Sequence, residues 1–109
     1  MTDQTLLEMA ARAAGIGPIL CYESRRNCLR IGNRKTSLLW RPLSKGDDAL
    51  RLAAILDINV EWFPKQQCVC ADRRGIGEII GWVDESGRAG ALLRAITVAA
   101  AKIGAMEAA

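Results

Sequence analysis

A chain of 109 residues, half of them hydrophobic, is long enough for one core and too short for two, so it is expected to fold as one domain over residues 1–109 without disulfide or metal staples. Its formal charge of +3 is mild and its acidic residues are scattered, which excludes the polycations that coat nucleic acid. The sequence contains no histidine, and that removes the commonest general base, the usual partner of a serine or cysteine nucleophile and the commonest metal ligand.

Along the chain, Thr2 is placed to cap a first helix whose apolar side is Leu6, Leu7, Ala10, Ala11 and Ala14, and Gly15 with Gly17-Pro18 ends it. Residues 19–23 and 28–31 are short β-like runs around Ser24-Arg25-Arg26-Asn27, a polar turn composition, and predict a hairpin. Residues 36–40 make a third strand, ended by Pro42 and Gly46. Ser44 and Asp47 have the spacing of a capping box, with Asp48 adding negative charge at a helix start, so a second helix is expected from residue 47 or 48. Its buried face is Ala49, Leu52, Ala53 and Leu56, at three- and four-residue steps. Residues 59–63 and 67–71 predict a second hairpin around Pro64-Lys65-Gln66, and residues 76–83 a further strand in which Gly77 and Gly81 mark bulges. Ser86-Gly87 opens a last helix carrying Leu92, Ile96, Ala99, Ile103 and Met106 on one stripe.

This order predicts an α/β domain of the α+β type: three helices and a small antiparallel or mixed sheet of about four to five short strands. No internal repeat and no low-complexity linker is visible. The longest apolar run, residues 89–106, is broken by Arg94 and Lys102, and the N-terminus lacks a basic region ahead of an apolar core, so a soluble, cytoplasmic protein without a membrane partner is expected.

With these elements in place, three segments together resemble the phage ABA-sandwich domain family of small bacteriophage and prophage proteins. They are Leu6-Leu7-Glu8-Met9-Ala10-Ala11-Arg12-Ala13-Ala14-Gly15-Ile16, then Trp40-Arg41-Pro42-Leu43 followed by Gly46-Asp47-Asp48-Ala49-Leu50-Arg51-Leu52-Ala53, and Arg94-Ala95-Ile96-Thr97-Val98-Ala99-Ala100-Ala101-Lys102-Ile103-Gly104. The chain departs from the pattern at Arg41, where a small polar residue is expected, and in Cys68-Val69-Cys70. The resemblance implies an α-β-α layered sandwich and a viral or prophage origin, and it brings no catalytic residues.

Residues 25–45 carry Arg25, Arg26, Arg30, Arg34, Lys35, Arg41 and Lys45 and no acidic residue. On one face these cations would track phosphates, with Tyr22 or Trp40 available for base stacking, or would meet an acidic protein. Dispersed, they are a solvated surface that keeps a sheet edge from pairing. Cys21, Cys28, Cys68 and Cys70 lack the two-to-four-residue knuckle spacing of structural zinc, so they are expected to be reduced, small apolar side chains with no metal and no cofactor. Asp47 and Asp48 are explained by helix capping, and no carboxylate pair for hydrolysis stands out. Trp40 is expected in the core, whereas Trp62 beside an exposed Phe63 and Pro64 makes a partner-facing patch. The stripe of the last helix is core, or alternatively the seam of a homodimer.

The sequence therefore leads to a non-enzymatic phage or prophage accessory protein that binds a host bacterial protein, in its concrete form a defence inhibitor of the anti-CRISPR type. The alternative is a nucleic-acid-binding module using residues 25–45. A third reading, an enzyme built on cysteine, requires a thiol with a depressed pKa.

Overall fold

A computed structural model describes residues 1–108. Helix α1 (Asp3–Ala13) starts where the Thr2 hydroxyl accepts from the Thr5 amide at 3.2 Å, and stops before Gly15, whose φ of +70° continues no helix. Strands β1 (Ile19–Glu23), β2 (Cys28–Gly32) and β3 (Ser37–Trp40) follow as one antiparallel sheet in the order β1-β2-β3. Helix α2 (Gly46–Leu56) leads to a second antiparallel sheet, β4 (Asn59–Phe63), β5 (Cys68–Arg73) and β6 (Ile76–Gly81), again in chain order. Helix α3 (Arg88–Ala108) closes the fold.

The α+β class with three helices is as expected, but the strands number six and divide into two sheets of three, where the sequence pointed to four or five in one sheet. The reason lies at the end of β3. Pro42 has no N–H to offer a ladder and is fully buried, and α2 then carries the chain away before β4 begins. The capping box does not form either. Lys45, not Ser44, holds the cap position of α2, and its ammonium has no acceptor to offer the first-turn amides, while the Asp48 carboxylate accepts the Arg41 amide at 2.8 Å.

Helix α3 organises the core. Ala95, Ile96, Thr97, Ala99, Ala100 and Ala101 are all buried, and at about 100° per residue they spread over roughly two thirds of the helix circumference. The buried Thr97 hydroxyl is satisfied by donating to the Leu93 carbonyl at 2.8 Å. By length and composition the stretch Glu85–Glu107 is apolar enough to cross a membrane, yet here it is wrapped by α1, α2, β5 and β6. Of the stripe Leu92, Ile96, Ala99, Ile103 and Met106, the middle three are buried in this core, Leu92 is half-buried and Met106 is exposed. Helices α1 and α3 run side by side in the same direction, since Asp3 pairs with Arg94 near one end while Met9 and Ala13 lie against Gly104 near the other. A Cβ on Gly104 would stand 2.8 Å from the Met9 carbonyl oxygen, so only glycine permits this approach.

An internal repeat is present although none was visible in the sequence. Each half is an 11-residue helix followed by a three-stranded meander. The first hairpin turn ends on Asn27 (φ 50°) before Cys28 and the fully buried Leu29, and the second ends on Gln67 (φ 52°) before Cys68 and the fully buried Val69. The registers agree: Tyr22 faces Leu29, which faces Trp40, while Trp62 faces Val69, which faces Ile80. One constant shift along the chain carries the first row onto the second. The helices break this period, because five residues join α1 to β1 and two join α2 to β4.

Gly77 is not a bulge. The β5–β6 register is continuous from Cys68 opposite Gly81 to Arg73 opposite Ile76, and Gly77 is required because a Cβ there would collide with the Ala71 carbonyl and Asp72. The irregularity falls instead between Ile19 and Cys21 in β1.

Candidate partner-binding surface

Alternation along β2 sends Leu29 into the core and Arg30 to the other face of the sheet, between Cys21 and Leu39. There the Arg30 guanidinium donates to Glu23 at 2.8 Å and to the Ser37 hydroxyl at 3.1 Å, while Arg26 donates to the second Glu23 oxygen at 3.2 Å. The hydrogen bond from Arg30 holds the Glu23 carboxyl below its ordinary pKa, and Glu23 raises that of Arg30 in return. Glu23 stands just outside the acid-free segment and neutralises two of its cations.

The remaining cations do not share one face. Arg25 and Arg26 are exposed at the β1–β2 turn, whereas Arg34 and Lys35 are exposed at the β2–β3 turn, the opposite end of a strand that runs roughly 15 Å. That second turn is fixed by the Asn33 side-chain oxygen, which accepts the Lys35 and Thr36 amides, each at 2.9 Å. Arg41 follows β3, an outer strand of its sheet, and so returns to the end occupied by Arg25. The single basic face expected from residues 25–45 is therefore split between two ends of the sheet.

A different constellation forms between β3 and α2. One half of a groove, about 280 Å³, is lined by Ile16, Ile31, Leu38, Trp40 and Ile55. The adjoining half, about 310 Å³, is lined by Arg41, Lys45 and Asp47, and Leu39, Asp48 and Arg51 belong to both. Leu38 is 77% exposed and Ile55 53%, large values for aliphatic side chains beside one another. Among the described residues no ion pair involves Arg41, Lys45 or Arg51. The Arg41 Nε is buried and has no hydrogen-bond partner among the described residues. Trp40, Arg41, Lys45, Asp47 and Asp48 were each singled out by sequence, though not as members of one site. A signal for Ile55 was present in α2, where it is apolar yet falls outside the Ala49, Leu52, Leu56 face.

The patch expected at Trp62 and Phe63 is partly consumed within the molecule. Trp62 packs edge-on against Trp82 with ring centres 5.9 Å apart, and the Arg88 guanidinium lies 4.7 Å from one ring centre and 5.1 Å from the other. Trp62 keeps 38% exposure, while Phe63 is half-buried instead of exposed. Trp40 sits in the core.

All four cysteines are free thiols, Cys28 buried, Cys21 exposed, Cys68 and Cys70 half-buried. Among the described residues no three metal-ligating side chains gather. The Cys70 thiol is pushed up by burial first and by the Asp72 and Glu61 charges next, the opposite of an activated nucleophile. Other carboxylates have structural partners: Asp3 with Arg94, Glu78 with Lys102 at 3.0 Å, and Asp84 with the Ser86 amide. Compared with protein-family models, curated proteins and solved structures, the chain matches none.

Proposed function

We propose that this is a phage or prophage accessory protein, active in the cytoplasm of the bacterial host, that works by binding a host protein and performs no chemistry itself. A defence inhibitor of the anti-CRISPR type is its concrete form. The observation that carries the binding role is the solvent-open groove between β3 and α2, where Leu38 and Ile55 stand exposed beside Arg51. An exposed aliphatic surface rimmed by charge has a cost in water that a partner would remove. The phage origin rests on the resemblance of the three helical segments.

The test is affinity capture of the tagged protein from bacterial host lysate, with and without nuclease. A stoichiometric host protein that persists after nuclease is the expected result. Recovery of no host protein under native conditions removes the reading. Nucleic acid that co-purifies and vanishes with nuclease and salt would favour the alternative, a module acting through residues 25–45. That alternative predicts that alanine at Arg25, Arg26 and Arg30 together weakens binding across sequences and flattens its salt dependence.

A further inference from the structure

The two halves of the β3–α2 groove differ in chemistry and are continuous in space, which constrains what fits them. The apolar half presents Ile31, Leu38 and Ile55 and needs aliphatic or aromatic side chains. The other half gathers Arg41, Lys45 and Arg51, none of which is ion-paired among the described residues. A carboxylate is the group that answers such cations with charge-assisted hydrogen bonds. Asp48 leaves them unpaired, since its carboxylate is turned to the Arg41 backbone amide. β3 is an outer strand, and among the described residues no strand pairs with its far edge, so an extended chain has backbone groups to lie against.

We infer that this groove receives an extended segment of a protein partner bearing carboxylates at one end and apolar side chains at the other, laid along the free edge of β3. The inference rests on the protein-binding role proposed above and names the chemistry of its ligand. Nucleic acid suits the groove less well. A continuous polyanion would meet Asp47 and Asp48 as well as the three cations, and it has nothing to place on Leu38 and Ile55.

The probes are two fluorescein-labelled, end-blocked hexapeptides, Glu-Glu-Gly-Leu-Ile-Leu and its reverse, with a scrambled control, followed by anisotropy. One orientation is expected to bind saturably. Leu38→Asp and Arg51→Glu are each expected to weaken it by about tenfold or more, and Arg25→Ala to leave it unchanged. Leu38 and Arg51 are exposed, so both variants are expected to keep the wild-type circular dichroism spectrum, which is recorded alongside. Failure of both orientations to bind the wild type, or binding indifferent to both variants, overturns the inference. So does a single-stranded oligonucleotide that binds the wild type and is lost in Arg51→Glu while neither peptide binds. Repeating the lysate capture with Leu38→Asp and Arg51→Glu separates the two levels. A host protein held equally by wild type and both variants keeps the binding role and overturns the groove, whereas none held by the wild type overturns the binding role.

Discussion

Asp3 ties distant parts of the chain together through one carboxylate. Arg94 from α3 forks onto both of its oxygens at 3.1 and 3.0 Å, and the Asn27 amide donates to it at 2.7 Å while accepting the Tyr22 hydroxyl at 2.6 Å. The Arg94 hydrogen bond, then the Asn27 one, holds the Asp3 carboxyl below its ordinary value of 3.8. A carboxyl whose pKa falls on folding contributes stability that is present above the unfolded value and is lost as pH falls through the lower folded value. The Arg94 side chain is 42% exposed and that of Asp3 32%, so water screens the pair and its worth is held to about 1 kcal/mol or less. Asp3→Asn is accordingly expected to lower stability at neutral pH by up to about that amount and to flatten the acid limb below about pH 4. Urea unfolding over a pH series measures both effects, and an unchanged acid limb would show that Asp3 is not among the groups that set it. Cys70 is the counterpart for chemistry. Its raised pKa predicts slow alkylation at neutral pH compared with the exposed Cys21, measured by iodoacetamide labelling and peptide mass spectrometry.

At the scale of elements, the closeness of α1 and α3 depends on the absence of a side chain. Gly104→Ala would bring a methyl group to 2.8 Å from the Met9 carbonyl and 3.0 Å from the Ala13 Cβ, so the helices must separate. Overpacking of this kind costs about 1–3 kcal/mol even though alanine is the better helix former. Chemical denaturation of Gly104→Ala would measure it, and a stabilised variant would mean that the helices part without penalty. The N-terminal cap of α1 offers an independent check. Thr2→Ala is expected to cost about 1 kcal/mol and Thr2→Ser close to nothing, because only the hydroxyl oxygen serves the Thr5 amide.

Over the whole molecule, the repeat is unequal. α3 is almost twice the length of α2 and lies across the inner face of the second sheet, where Lys102 reaches the Gly77 carbonyl at 3.1 Å. The 11-residue α2 leaves the row of Ile31 and Leu38 on the first sheet open, and that opening is the groove. Burial of Val69 and Ala71 under α3, with both edges of β5 paired, predicts that β5 amides exchange most slowly and that those of β3, paired on one edge, exchange faster. Native-state hydrogen exchange followed by NMR tests this, and equal protection of the two strands would contradict it.

Much of this architecture was legible because it is set by neighbours in sequence. The Thr2 cap, the Gly15 stop, the buried faces of α1 and α2 and the turn at Ser24-Arg25-Arg26-Asn27 depend on periodicity and local backbone preference, and the three helices followed from them, whereas the order of strands within each sheet did not. What spacing does not carry is which atoms meet. Asp48 is a helix-start carboxylate by sequence, and only the folded chain turns it toward the Arg41 amide and leaves the Lys45 cap bare. The acid-free run from Arg25 to Lys45 is one block along the chain, but an antiparallel meander reverses direction at every turn and distributes the block to both ends of a sheet. The repeat escaped notice because it is kept in register and turn geometry while residue identity differs, as Trp40 opposite Leu29 and Ile80 opposite Val69 illustrate. Local preference determined the helices and hairpins of this protein, but not the division of its strands into two sheets. Long-range packing decided where Leu38, Arg41, Arg51 and Ile55 converge, because side chains far apart in sequence are brought together only when the core closes.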